Sequence, residues 1–228
     1  MREYNLLDDY PNPEKPRLVH SNFRTIENRI SASYRDINLY DGDRNSGYGG
    51  YTYDGRWVKV AQKISTEYKL NNESSFLHIG CEKGFLMHDV RNIYPSMNIY
   101  GIETSKYAIE NSMQSIRKNI IHSNYIDMKN FKDNAFDFIY ATGVVYALNI
   151  TDAIKCLKEI IRISDNSFIT LASYTDKKDY WLFKNWTLLG TTILLKKEWE
   201  TILKHVGYKG DYCFTNAKTL NLVDKELS

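Results

Sequence analysis

Phe76-Leu77-His78-Ile79-Gly80-Cys81-Glu82-Lys83-Gly84-Phe85 is a short apolar run that breaks into a glycine-bearing turn and restarts as a helical pattern. After Pro95 a second apolar run closes on Tyr100-Gly101-Ile102-Glu103. Strand, glycine turn, helix, strand and terminal acid make one half of a nucleotide-binding α/β fold. Glycine at the first turn lets the backbone approach a ligand closely. An acid ending the second strand stands where a ribose offers its hydroxyls, which points to an adenosine-containing ligand.

The same alternation continues outward. A helix is expected from Arg56, because Trp57, Val60, Ala61 and Ile64 recur at one-face spacing. The strands expected are 76–80, 98–103, 119–122, 136–141 and 166–173. Ser105 is placed to cap a helix reaching about Lys118, and Thr151 to cap one whose Ile154, Leu157, Ile160 and Ile161 share a face. Thr175–Asn185 is polar and aromatic and reads as a loop near the site. Trp199, Ile202, Leu203 and Val206 again repeat at helical spacing, and Gly207 is placed to end that helix. Runs at 211–215 and 219–223 are close enough to pair as an antiparallel hairpin. The expected fold is α/β, Rossmann-like and doubly wound: a mostly parallel seven-stranded sheet with an antiparallel terminal hairpin strand and an N-terminal extension.

Residues 1–55 are expected to form that extension and a lid, and 56–228 the ligand-binding domain. Pro11, Pro13 and Pro16 keep the start extended, and a weak helical pattern covers Asn22–Tyr34. Between Leu39 and Trp57, glycine and tyrosine interleave with charges, which favours an ordered loop over a site.

Bulk properties narrow the function. The 228 residues are 43% apolar and 25% charged, with a net charge of +2, so they suit one soluble domain. Lys and Arg are scattered among acids, whereas a nucleic-acid binder would carry a basic stripe. No stretch is long and apolar enough to span a membrane. Cys81, Cys156 and Cys213 are odd in number and far apart, and the His residues do not cluster, so no metal is expected and the thiols read as reduced, in a cytoplasmic protein.

The turn chemistry selects among adenosine ligands. A nicotinamide dinucleotide asks for Gly-x-Gly-x-x-Gly/Ala, but from Gly80 this chain offers Gly80, Glu82 and Phe85, and Glu82 would face a pyrophosphate with like charge. No Gly-Lys-Ser/Thr follows for a phosphate loop. S-adenosylmethionine has no phosphate and carries a sulfonium cation, so it tolerates a nearby carboxylate.

Over roughly residues 56–228 the sequence resembles the class I S-adenosylmethionine-dependent methyltransferases of small-molecule type. HIGCEKGF stands for their first motif, often DVGCGKGF, and Gly101-Ile102-Glu103 matches the second. Ser123-Asn124-Tyr125 with Asn130–Asp137 follows the adenine-holding pattern, and Phe136–Tyr146 the fourth motif strand and the loop beneath the methionine moiety. The departures are His78 for an acid, Glu82 for the middle glycine and Tyr146 in a slot often held by His. The resemblance implies S-adenosyl-L-methionine as cofactor, with Gly80, Cys81, Gly84, Glu103, Thr104, Asn124, Tyr125 and Ala141 lining its site. Arg56 is assigned to the methionine carboxylate, Tyr48 to the sulfonium and Tyr146 to the acceptor side as the catalytic candidate.

The expected partner is a small-molecule acceptor, with a dimer allowed. A looser likeness of Tyr-Asp-Gly-Arg-Trp and Trp-Thr-Leu-Leu-Gly-Thr-Thr to enzymes encoded with bacterial surface-carbohydrate genes suggests a sugar or nucleotide-activated precursor of a surface polysaccharide. The alternatives are a methyltransferase-fold scaffold without catalysis and, lower, a nicotinamide-dependent oxidoreductase.

Overall fold

The computed structural model describes residues 1–12 and 15–227; Pro13, one of the three prolines read as extending the start, lies outside the described residues. In chain order the elements are β1 (Arg2–Glu3), β2 (Arg17–Val19), α1 (Ile26–Ser33), α2 (Ile37–Tyr40), α3 (Val58–Glu67), β3 (Ser75–Ile79), α4 (Phe85–Ile93), β4 (Asn98–Glu103) and α5 (Lys106–Glu110). There follow β5 (Ile120–His122), β6 (Phe138–Ala141), α6 (Ile150–Ile163), β7 (Ser167–Tyr174), α7 (Lys177–Trp186), β8 (Leu194–Leu195), α8 (Lys196–Val206), β9 (Asp211–Thr215) and β10 (Leu222–Asp224).

The main sheet runs β1-β9-β7-β6-β3-β4-β5, with β8 added beside the end of β7. Alternation in its strands divides the core between the two faces. Phe76, Phe138 and Phe168 face α3 and α4, where they meet Val60, Ile64, Leu86 and Val90. Leu77, Ile139 and Ile169 face α6 and α8, where they meet Leu157, Ile160, Trp199 and Leu203. The Rossmann-like, doubly wound reading is therefore correct.

Its closing detail is not. Every strand pair among the described residues is parallel. The expected antiparallel hairpin does not form: β9 lies parallel to β7 and β10 parallel to β2. Residues 216–221 turn the chain off the sheet, with Asn216 and Thr219 exchanging two backbone-to-side-chain hydrogen bonds of 2.9 Å. The edge that this leaves on β9 is taken by β1 from the opposite end of the chain. The N-terminal extension is thus woven into the main sheet at β1 and into a second, two-stranded sheet at β2.

Three local expectations also shift. The cap of α6 is Asn149, whose side chain accepts from the Asp152 amide at 3.0 Å, and Thr151 falls within the first turn. Ser105 caps α5 as expected, but the helix stops at Glu110; the Met113 amide donates instead to the Lys83 carbonyl at 2.9 Å, tying this segment to the glycine turn. The stretch 175–185 is mostly helix α7, capped by Asp176 and anchored by buried Leu182 and Phe183.

Candidate functional site

The carboxyl ends of β3, β4 and β6 converge where the first motif leaves the sheet. The amides of Gly80 and Cys81 both donate to the Ile102 carbonyl, at 2.8 and 3.2 Å, and the Gly84 amide closes the turn on the Cys81 carbonyl at 2.8 Å. Gly80 and Gly84 hold φ of +71° and +75°, a region glycine enters without strain. Side chains there have no room either: a Cβ on Gly80 would lie 2.4 Å from the Val144 Cγ2, and one on Gly84 2.2 Å from the Ile116 Cδ1.

Glu103 is fully buried at the end of β4. Its Oε1 accepts from the amides of Thr104 and Ser105 at 2.7 and 2.8 Å and from the hydroxyls of Thr104 and Tyr125 at 3.2 Å each. Oε2 accepts from the Glu82 amide alone, at 2.8 Å. A carboxylate has about four acceptor positions, so one further donor, such as a ribose hydroxyl, fits at Oε2, and a second fits if the Tyr125 hydroxyl yields its place.

Glu82 lies between this carboxylate and the covering segment. Its backbone is in the left-handed region, at φ +52°, and its Oε1 accepts from the Tyr48 hydroxyl at 2.6 Å. Burial pushes its carboxyl above the usual range and Glu103 adds to that, while hydrogen bonds from Tyr48 and Tyr51 and the charge of Arg35 oppose it.

Residues 35–53 form a strap over these groups. Lys83, 6% exposed, donates to both Asp41 oxygens at 2.7 and 2.6 Å and to the Tyr51 carbonyl at 2.9 Å. Tyr107 also donates to Asp41, at 2.6 Å, and Tyr53 to Asp89, at 2.6 Å. Ser105 Oγ donates to the Arg35 carbonyl. Tyr51 stacks on Phe85 with centroids 4.8 Å apart and meets Tyr48 at 4.9 Å. The strap carries Arg35 beside Glu103; burial weighs against its charge, but the fields of Tyr125 and Glu103 outweigh that and raise its pKa.

Of the residues singled out in the sequence, Gly80, Gly84, Glu103, Thr104, Tyr125 and, through Glu82, Tyr48 come together here. Cys81 and Ala141 contribute backbone only, since their side chains pack in the cores of opposite faces. Asn124 uses its Oδ1 on the amides of Ile126 and Asp127, at 3.0 and 2.9 Å, which leaves its Nδ2 for a ligand. It lines an open hollow of about 260 Å³ with Ser123, Asp127, Lys129 and Asn130.

Arg56 is not brought to the site. Its fork grips Asp54, at 2.8 and 2.5 Å, with Tyr10 at 3.4 Å, and it makes no hydrogen bond or ion pair to Glu82 or Glu103 among the described residues. The Tyr146 ring rests edge-on against Phe183, and its hydroxyl is 4.0 Å from where a Gly143 Cβ would lie; nothing else approaches that Cβ position within 4 Å. Burial pushes the Tyr146 hydroxyl up to about 12, which suits a hydrogen-bond donor and not a base at neutral pH.

Arg35, Asp41 and Lys83 are the groups that the sequence reading missed. Lys83 lay inside the decisive motif and its charge was visible; its partner Asp41 is 42 residues away and carried no signal.

Residues 77–167 match a family model described as a methyltransferase domain. No curated protein matches. Among solved structures, YcgJ from Bacillus subtilis aligns at 15% identity over 64% of this chain and 66% of that one, with a TM-score of 0.51. The [4+2]-cyclase SpnF aligns at 16% identity over 65% and 57%, TM-score 0.52. A putative methyltransferase from Bacillus halodurans C-125 aligns at 12% over 64% and 68%, TM-score 0.51. The chain thus spans under two thirds of SpnF and 66% of YcgJ. At such identities the likeness is one of fold, and a cyclase among the three shows how far chemistry varies on similar frames.

Proposed function

We propose, from the premise that residues 77–167 form a methyltransferase domain of the S-adenosylmethionine-dependent class, that this chain binds S-adenosylmethionine and transfers its methyl group to a small molecule. The observation that carries the reading is Glu103: an acid closing the second strand of the motif, clamped by three backbone amides, with an acceptor position left on Oε2. The group supplies a methyl already activated by positive sulfur, so the protein's work is alignment and exclusion of water. Glu103 would hold the ribose, the Gly80 turn would admit the chain beyond it, and Asn124 Nδ2 would meet the adenine edge. The strap of residues 35–53 would act as the lid, since Glu103 is fully enclosed beneath it.

Tyr146 is assigned to the acceptor side as a hydrogen-bond donor facing the open space at Gly143. A sugar or nucleotide-activated precursor of a surface polysaccharide is the acceptor proposed; the aromatic strap and the absence of a basic stripe in the sequence favour a small polar molecule over a nucleic acid. The enclosure of Glu103 beside Arg35 also favours a second reading, a scaffold without catalysis.

Isothermal titration separates the two. S-adenosylmethionine is expected to bind the native chain, and Glu103→Gln to weaken it roughly 10- to 100-fold through loss of a charge-assisted bond. Absence of binding to the native chain would leave the scaffold reading.

A further inference from the structure

Two carboxylates, fully buried Glu103 and half-buried Glu82, lie side by side, with the Glu82 amide donating to Glu103 Oε2 at 2.8 Å. Neither forms an ion pair within 4 Å among the described residues. Glu103 is met by five donors, whereas among the described residues the Glu82 carboxylate is met by two tyrosine hydroxyls, Tyr48 at 2.6 Å and Tyr51 beside it. A carboxylate half-withdrawn from water without a paired cation is costly, and a second one nearby makes it more so. Arg35 is the one opposing charge, and it faces Glu103 and Tyr125 more than Glu82. The backbone hydrogen bond fixes Glu82 immediately beyond the ribose-holding acid, and the rings of Tyr48 and Tyr51 stand beside it.

We propose that Glu82, with the ring of Tyr48 that bonds to it, is the specificity-determining group that makes this site prefer the cationic sulfur of S-adenosylmethionine to the neutral sulfur of S-adenosylhomocysteine. The inference rests on the cofactor reading above and adds a discrimination to it. Both ligands carry the same adenosine, ammonium and carboxylate; they differ in the methyl and the charge at sulfur. A carboxylate and an aromatic ring at that point stabilise only the charged form. Once the methyl has left, the remaining ligand no longer offsets the Glu82 charge, and release is favoured.

Titration calorimetry on the full chain with S-adenosylmethionine, S-adenosylhomocysteine and sinefungin, whose extra amine restores a cation near the sulfur position, tests this. The native chain is expected to bind the two cationic ligands about tenfold or more tighter than S-adenosylhomocysteine. Glu82→Gln should erase that ratio by weakening the cationic ligands while leaving S-adenosylhomocysteine within about twofold. Glu82→Gly is the second variant, because glycine accepts the left-handed backbone without strain and should fold even if glutamine does not. A ratio unchanged in either variant, or an equal loss for all three ligands, overturns the proposal while the cofactor reading stands. Failure of all three ligands to bind the native chain overturns both.

Discussion

His78 stands where the motif that this chain resembles carries an acid, and its surroundings explain what the ring does instead. It is 6% exposed, packs edge-on against Tyr140 at 5.0 Å, and leaves Nδ1 without a partner. Burial lowers its pKa from 6.5 to about 3, so the folded chain keeps the ring neutral. Below pH 6.5 the unfolded chain takes up a proton that the folded chain refuses. Stability from this residue is therefore complete above pH 6.5 and drains by about 1.4 kcal/mol per pH unit as pH falls toward 3. Urea midpoints measured against pH for the native chain and for His78→Leu check this: the native curve should be the steeper between pH 6 and 4, and parallel curves would refute it. The residue scale also shows what a linear motif can carry. Gly80, Gly84 and Glu103 are fixed by backbone shape within one turn or one strand end, so their positions follow from local sequence. Arg56 pairs with a carboxylate two residues away, a partner that its place at a helix start does not announce.

At the scale of elements, the strap is held by a partly buried ion pair rather than by apolar packing alone. Asp41 accepts from three groups, Lys83, Tyr107 and the Tyr51 amide, and burial opposes its charge less than those bonds favour it, so its carboxyl sits below the usual range. Asp41→Asn should cost about 2 kcal/mol, discounted from a fully buried pair because the Asp41 side chain is 27% exposed. Hydrogen exchange should then rise across 35–53 while the amides of β3 and β6 stay protected; uniform protection would show that the pair does not fasten the strap. The helices most readily found in the sequence, α3, α6 and α8, owe that to a single apolar face against one side of the sheet. The helix over 177–186 was read as a loop because only Leu182 and Phe183 are buried in it, although the Asp176 cap was visible. Strand direction was the least legible property. Whether β9 runs with or against β7 depends on the end at which the chain re-enters the sheet after α8, and whether β10 folds back on β9 depends on the turn bonding of 216–221; neither is written in the hydrophobic pattern.

For the whole molecule, the sheet is completed only by its own N-terminus. Arg2 bonds Asp211 at 3.1 and 2.6 Å and Glu67 at 2.7 Å, and the Tyr4 amide donates to the Tyr212 carbonyl at 2.9 Å. Removing residues 1–5 uncovers the edge of β9, and an uncovered edge invites a second chain. The truncated protein is expected to self-associate as its concentration rises in size-exclusion chromatography with light scattering, and to melt at lower temperature; a monodisperse monomer with unchanged melting would contradict the role given to β1. Strand β1 has two residues and no sequence signal of its own, which is why this closure was invisible before the fold was known.

That closure imposes an order of events on synthesis. Arg2 and Asp211, 209 residues apart, cannot meet until β9 has left the ribosome. The central strands can assemble before then, and β1 is among the last elements to find its place. The strap has no such wait: Lys83 and Tyr107 follow Asp41 by only 42 and 66 residues, so the newborn chain can cover Glu103 while the strand that β1 will border has yet to be made.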